Sequence, residues 1–313
     1  MPESKNKMAF IFLDTDKHAS PFDILLTMDL FPEAEIIKYE DVTGEDTEKI
    51  VQDAIFARGP EGTKHTKLFI NGRDFKKANE ILDKAKHSMI PPFEVSVIID
   101  PRGAYTTAAA AVAKTLELSV AKQLGTLENK VVTVLAGTGP VGQTAAKLYA
   151  SEKAEVILTS RSLQKATSIV TRINEEFDIE RVRGVEAQTA EDMGEVIENA
   201  DVVLSAGTAA TELLPLQILK RHSKKCRIVA DINAVPPFGV EGLESDSFGK
   251  EILPNVYSIG AQVINKLKQK VEAGLIMKAV EEPSGVFDYR TAYDIAKKTI
   301  ASQKEAEKQS QLS

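Results

Sequence analysis

The stretch VVTVLAGTGPVGQTAAKLYASEKAEVILTSRS, Val131–Ser162, decides the fold of this chain. Its opening VVTVLAG is apolar and rich in β-branched residues, which predicts a buried strand. The glycines that follow are spaced Gly137-x-Gly139-x-x-Gly142. VGQTAAKLYASE then has helical character, and AEVILTSR reads as a second strand. A GxGxxG set between a strand and a helix in such a βαβ unit carries a mechanism that a bare glycine pattern lacks. Gly137 permits the tight turn, Gly139 lets the backbone approach a pyrophosphate, and Gly142 allows close helix packing. Gly137, Thr138, Gly139, Pro140, Val141 and Gly142 are therefore the expected anion cradle, because the first N–H groups of a helix lack partners within it.

The end of the stretch bears on which dinucleotide binds. An acidic residue at the end of the second strand receives the ribose 2′-hydroxyl in NAD-binding units. Here the comparable position is about Thr159, followed by Ser160, Arg161 and Ser162. Nothing there repels a 2′-phosphate. Arg161 can pair with one through its planar fork, Ser160 and Ser162 can donate to it, and Lys165 lies one helical turn on. NADP is the expected cofactor, with NAD use left open by the small number of basic residues.

Working outward, strands and helices alternate on both sides. Before the stretch come MAFIFLDTD (strand), SPFDILLTMDL (helix, with Ser20 as N-cap and Pro21 first), AEIIKYEDV (strand) and a helix stopping at Gly59-Pro60. TKLFING, RDFKKANEILDKAKHSM, FEVSVIIDP and the small-residue helix YTTAAAAVAKTLEL follow. After it, DVVLSAG and CRIVADIN are further strands of the same unit. The later strand ends place Ala206 and Gly207, then Asp231, Asn233 and Ala234, around the same crevice, because ligands of such sheets bind outside the carboxyl ends of the strands. Helices are expected from Gln262 to about Met277 and again from about Tyr289. The fold class is α/β with two domains: an N-terminal α/β substrate domain and a Rossmann-type doubly wound dinucleotide-binding domain. The expected bounds are 1–120 for the first, with a helix at about 286–305 packing back on it, 121–285 for the second, and a frayed tail at 306–313.

Composition narrows the function. The net charge of −7 over 313 residues disfavours a general nucleic-acid binder, which needs Lys and Arg for phosphate contacts. The densest basic run, Lys220–Arg227, reads as a solvated helix end. A single cysteine, Cys226, permits no disulfide within the chain and fits a reducing compartment. With it and four scattered histidines, no metal-ligand cluster is expected. The polar start has no signal-peptide core, and no apolar run reaches membrane-spanning length, so the expected location is the cytoplasm, without membrane partners.

A set of motifs resembles one family. VLAGTGPVG, ELLP (Glu212–Pro215), IVADINAVPPFGVEG and SGVFD (Ser284–Asp288), with the N-terminal FLDTD, PFDILL, ARGP and AYTTAAAAVA, resemble in the same order the NADP-dependent methylene-tetrahydromethanopterin/methylene-tetrahydrofolate dehydrogenases of methylotrophic bacteria. The resemblance runs from about residue 9 to 300. It implies hydride transfer from the methylene carbon of a reduced pterin, tetrahydromethanopterin or tetrahydrofolate, to C4 of the nicotinamide, giving a methenyl cation. That cation is delocalised over two nitrogens, so no acid–base dyad is required, and the protein's task is positioning and electrostatics. The resemblance further implies Asp14 and Asp16 at the amino-pyrimidine edge of the pterin, Phe22 packing on it, and Asp100, Thr106 and Thr107 nearby. Lys268 aligns with a family lysine of the active site, with Lys266 as a rival, because the glycine-rich segment before that lysine reads GAQVINK here. Arg102 stands in Pro101-Arg102-Gly103, where the family has SNG, and adds a cation for a charged pterin tail. A homo-oligomer, a trimer or a multiple of it, is implied as well.

Other readings remain open at this stage. A shikimate-dehydrogenase-like enzyme needs a Lys–Asp pair for proton transfer, which Lys17 and Asp100 can offer. A cyclohydrolase activity is disfavoured, since no Tyr-x-x-x-Lys pair occurs in the early helix. A non-enzymatic NADP sensor is compatible with the fold, because fold does not fix function.

Overall fold

The computed structural model describes residues 6–312. The chain runs β1 (Ala9–Asp14), α1 (Pro21–Leu30), β2 (Glu35–Tyr39), α2 (Gly44–Phe56), α3 (Gly59–Thr63), β3 (Thr66–Asn71), α4 (Phe75–Ser88) and β4 (Ser96–Ile99). A single 3-10 turn, Pro101–Gly103, leads into α5 (Ala104–Ala121). Next come β5 (Val131–Leu135), α6 (Pro140–Ser151), β6 (Glu155–Ser160), α7 (Leu163–Phe177), β7 (Val182–Glu186), α8 (Ala190–Ile197), β8 (Val202–Ser205), α9 (Leu216–His222) and β9 (Ile228–Asp231). The chain closes with β10 (Phe248–Leu253), β11 (Val256–Ile259), α10 (Ala261–Glu281), β12 (Gly285–Phe287) and α11 (Tyr289–Leu312). Two compact units form: the first reaches Thr106 and includes Lys270–Ile295, and the second holds Thr107–Gln269 and the chain from Ala296 on.

The first unit is built on a parallel sheet ordered β12-β4-β3-β1-β2. Strand β3 is buried along its whole length, and β1 at all but its first residue. Continuous burial is the signature of parallel strands covered on both faces, and it explains the apolar runs Ala9–Leu13 and Leu68–Ile70 within these segments. Phe12 and Phe69, on neighbouring strands, stack at 4.9 Å between ring centroids. A capping box between Thr43 and Asp46 starts α2, and Asp74 caps α4 by accepting from the Lys77 N–H. Helix α1 is inverted relative to an ordinary surface helix: its buried residues are Asp23 and Thr27, while Phe22, Leu25 and Met28 are exposed.

The second unit has a seven-stranded sheet ordered β10-β11-β9-β8-β5-β6-β7. All neighbours are parallel except β10 against β11. Read from β7, the six parallel strands have the 3-2-1-4-5-6 order of the doubly wound dinucleotide fold. Its helices follow the apolar periodicity: α7 buries Ala166, Ile169, Val170 and Ile173 against the sheet side. Cys226 is buried here with its thiol bonded to the Ile228 carbonyl, and burial pushes its pKa up to about 12. The basic run around it is matched by acids of the same unit, with Arg221 on Glu191 and Lys225 on Asp201.

Three features depart from the sequence expectations. Gly59-Pro60 does not simply stop a helix; it begins the short α3, with Pro60 in the first turn where a missing N–H costs nothing. Strands β10, β11 and β12 were not expected, because β10 is mostly solvent-facing, and β11 and β12 have four and three residues, too few for a period to show. The expected frayed tail at 306–313 is helical as far as Leu312, within α11, where Lys, Glu, Ala and Gln favour helix on intrinsic propensity; residue 313 lies outside the described residues.

Candidate active site

In the second unit the sheet order reverses between β5 and β8, whose ends pair Leu135 with Ser205. Ligands of this fold bind at such a switch point. The loop after β5 turns through Ala136, which adopts a left-handed φ of 49°. Two bonds to the neighbouring strand fix that turn: the Ala136 N–H donates to Thr159 Oγ1 at 2.9 Å and the Gly137 N–H to the Thr159 carbonyl at 3.0 Å. The three glycines then divide their work. A Cβ on Gly137 would lie 2.7 Å from Leu158, and one on Gly142 only 2.5 Å from the Gly137 carbonyl oxygen. A Cβ on Gly139 would meet nothing within 4 Å. Gly137 and Gly142 allow close packing of loop, strand and helix, whereas Gly139 keeps space clear beside the start of α6. That open space, bordered by unpaired helix-start N–H groups, fits a pyrophosphate.

Thr159, the position of the missing ribose carboxylate, is fully buried and turned inward to hold the loop. Ser160 is buried as well, and exposure begins at Arg161 and Ser162. Ser160 Oγ accepts from the Ser162 N–H, and Ser162 Oγ caps α7 by accepting from the Lys165 N–H. Both hydroxyls act as acceptors in these bonds and so retain a proton to donate to an anion. Arg161 and Lys165 are exposed and form no ion pair among the described residues. Ala206 and Gly207 follow β8, with the Ala206 N–H bonded to the Leu135 carbonyl at 3.0 Å.

Asp231 and Asn233 have structural partners. The Asp231 carboxylate is buried, and burial pushes its pKa up although N–H groups of Asn233, Gly239 and Val240 donate to it. Asn233 accepts from the Ala210 and Val235 N–H groups and donates to the Pro237 carbonyl. It therefore ties the β8 loop to the β9 loop, with one amide hydrogen left over. Ala234, beside it, is exposed. Lys268 is half-buried on α10, one turn beyond buried Ile264, while Lys266 is exposed.

In the first unit the strand order, read from β2, is 2-1-3-4-5, with its switch point between β1 and β3. Their ends pair Asp14 with Asn71. The Asp14 carboxylate is buried and engaged by the N–H groups of Asp16 and Ser20, so it organises the β1–α1 loop; burial pushes its pKa up. Asp16 is paired with Arg102 and also accepts from the Arg73 N–H. Burial raises its pKa, but the Arg73 N–H and the Arg102 guanidinium outweigh that and hold it below the usual carboxylate range. Arg102 has a left-handed φ of 50°, donates to the His18 carbonyl and gives its N–H to Asn71. Asp100 accepts from the Tyr105 N–H and the Thr106 hydroxyl, fixing the start of α5. Thr106 is buried, Thr107 half-buried and Phe22 exposed.

Sequence reasoning missed Asp23 and Asn71, which bond to each other at 2.5 Å at this switch point. A signal was present: Asp23 and Thr27, four apart, are polar positions sharing one face of a helix that is apolar elsewhere except at Asp29. Two surface concavities of this unit, one around Met8 and Phe31 and one around Val95 and Val286, lie at the N-terminal ends of strands. Among the described residues no group of three or more His, Cys, Asp or Glu could hold a metal ion, and no helix is long and apolar enough to cross a membrane.

A Rossmann-type unit with this glycine cradle, joined to a second parallel unit, defines a nicotinamide-dinucleotide-dependent dehydrogenase. The chain is 36% identical over 293 residues to the bifunctional protein MdtA of Methylorubrum extorquens, covering 93% of this chain and 98% of that one. It is 32% identical to the NAD(P)-dependent methylenetetrahydromethanopterin dehydrogenase of the same organism, covering 90% and 94%. The chain belongs to the methylene-tetrahydromethanopterin dehydrogenase family. Consistent with that, residues 21–102 match the model of the methylene-tetrahydromethanopterin dehydrogenase N-terminal domain, and residues 119–241 match that of shikimate / quinate 5-dehydrogenase. Two solved structures share the fold at low identity. Quinate dehydrogenase from Corynebacterium glutamicum in complex with NAD has 12% identity and a TM-score of 0.50, over 92% of this chain and 98% of that one. A chorismate mutase/shikimate 5-dehydrogenase fusion protein from Clostridium acetobutylicum has 10% and 0.50, over 95% and 99%.

Proposed function

We propose that this chain moves hydride from the methylene carbon of methylene-tetrahydromethanopterin, or of methylene-tetrahydrofolate, to NADP, giving the methenyl form. The observation that supports this most is the similarity to an NAD(P)-dependent methylenetetrahydromethanopterin dehydrogenase over 90% of the chain, which takes in both units. When bound, the nicotinamide cofactor supplies the hydride acceptor. The N–H groups at the start of α6 and the space beside Gly139 hold the pyrophosphate. Ser160, Arg161, Ser162 and Lys165 hold the 2′-phosphate, and Ala206, Gly207 and Ala234 wall the nucleotide.

Because the methenyl product spreads its charge over two nitrogens, no side chain has to take a proton during the transfer. The fixed loops at the β1/β3 switch point suit a purely positioning role, since Asp14, Asp16, Arg102, Asp100 and Thr106 are locked by bonds to one another and to backbone. Phe22, Thr107 and Lys268 are assigned to substrate contact. The exposed apolar side of α1, with Leu25 and Met28, supports association into a homo-oligomer, a trimer or a multiple of it; the cytoplasm is the proposed location. The test is steady-state kinetics with both methylene pterins against NADP and NAD, read by reduced-nicotinamide absorbance. Turnover with at least one pterin is expected, and none with either overturns the reading.

A further inference from the structure

The end of β1, the loop after it and the first turn of α1 bring three carboxylates to the β1/β3 switch point, and two are spent. Asp14 accepts two backbone N–H groups, and Asp16 is taken by Arg102 and Arg73. The third, Asp23, is 2% exposed in the first turn of α1, the helix that follows β1. Among the described residues its carboxylate accepts one hydrogen bond, at Oδ2 from Asn71 Nδ2. Oδ1 accepts none. An ionised carboxylate offers about four acceptor sites, and a buried one with a single bond is costly unless something else supplies donors.

The geometry around Asp23 is fixed. Asn71 Oδ1 accepts the N–H groups of Gly72 at 2.7 Å and Arg102 at 2.8 Å, which turns its amide NH2 toward Asp23. Arg102 is held in a left-handed backbone conformation by its side-chain pair with Asp16. A second unsatisfied group sits in the same loop: Thr15 Oγ1 is buried with no partner, against Gly72, where a Cβ would lie 1.9 Å from it. A carboxylate with free acceptor capacity beside an amide donor is an acceptor–acceptor–donor array. A reduced pterin presents the complement along one edge: the 2-amino N–H, the N3–H and the 4-oxo oxygen.

We propose that Asp23, positioned by Asn71, is the carboxylate that receives the 2-amino and N3–H edge of the reduced pterin. This rests on the functional reading above and names the residue that reads the substrate head group. The two parallel N–H groups meet the carboxylate as a guanidinium does, and the Asn71 amide stands beside the 4-oxo oxygen. Tetrahydromethanopterin and tetrahydrofolate share this edge, so Asp23 recognises both and does not choose between them.

The test combines a substrate analogue with Asp23→Asn. The amide carbonyl introduced by this substitution can still accept from Asn71, so the variant keeps the loop and loses the charge and one acceptor. Wild-type enzyme is expected to prefer methylene-tetrahydrofolate over its 2-desamino-2-methyl analogue by about 100-fold or more in kcat/KM, because the analogue leaves a buried acceptor unpaired. Asp23→Asn is expected to raise KM for the natural pterin by about 10- to 100-fold, to lose most of the preference against the analogue, and to leave NADPH binding and Tm unchanged. Wild-type enzyme that turns over both substrates equally overturns the assignment whatever the variant does. So does a variant that keeps the wild-type preference. Absence of wild-type turnover with either natural pterin overturns the functional reading, and this assignment with it.

Discussion

Thr159 Oγ1 accepts a hydrogen bond from the Ala136 N–H at 2.9 Å, so the end of the second strand of the dinucleotide fold holds the glycine loop at the end of the first. Ala136 is a non-glycine residue in the left-handed region, a conformation that needs support from its surroundings. Thr159→Val keeps the shape and removes the acceptor. It should destabilise the protein by about 1–3 kcal/mol, the cost of leaving a polar group unsatisfied, and should raise KM for NADP. Urea unfolding and cofactor titration measure the two effects; a variant with wild-type values in both would show that the Gly137 bond to the Thr159 carbonyl is sufficient.

The fingerprint glycines should separate into one that serves binding and one that serves folding. Gly139 has φ −76° and ψ 169°, which any residue adopts, and open space where a Cβ would go. Gly139→Val should therefore fold with an unchanged Tm, while kcat/KM for NADP falls on the order of 100-fold because the pyrophosphate is displaced. Gly142→Ala drives a Cβ into the Gly137 backbone and should cost about 1–3 kcal/mol of stability through overpacking. Thermal melting of both variants beside cofactor titration distinguishes these outcomes.

The same two positions show what was legible in the sequence. Glycine spacing between a strand and a helix encodes a backbone geometry, and the structure builds that geometry at Gly137, Gly139 and Gly142. The parallel strands were equally plain, since burial on both faces leaves an unbroken apolar run such as Ala9–Leu13. Side-chain direction was less accessible. Asp14 and Asp231 look like free carboxylates at strand ends, but a strand end also exposes backbone N–H groups, and each side chain turns back to satisfy them. Asp23 escaped notice for the converse reason: it sits in an apolar helix, and only the packing of α1 reveals that its polar face is the buried one. The strand β12 was hidden because its three residues gain their partner, β4, from nearly 190 positions away.

Cofactor choice should depend on Arg161. It is exposed, stands between two serines whose hydroxyls keep a proton to donate, and has no carboxylate partner among the described residues. Arg161→Ala should lower kcat/KM for NADP by about 10- to 150-fold, the loss of a hydrogen bond to a charged group, with little change for NAD. Steady-state kinetics with the two cofactors at low and moderate salt give the ratio. An unchanged NADP/NAD ratio would assign the 2′-phosphate to Lys165 and the serines alone.

Stability should rise with pH on the alkaline side because of Lys67. This lysine is buried in β3, donating to Ser96 Oγ at 3.1 Å and to the Glu282 carbonyl at 2.8 Å, and burial lowers its pKa to about 8. The unfolded chain, with an ordinary lysine pKa of about 10.4, binds more protons than the folded one between these values. Unfolding free energy therefore increases as pH rises through about 8 and levels off above about 10. The Ser96 hydroxyl also donates to the Glu282 carbonyl at 2.6 Å, so Lys67→Met leaves both groups bonded to each other while removing the desolvated charge. The variant should lose the lysine's contribution to the alkaline rise and be at least as stable as wild type at pH 7. Urea unfolding from pH 7 to 10, wild type against Lys67→Met, gives the difference; parallel curves would mean that Lys67 stays protonated across the whole range.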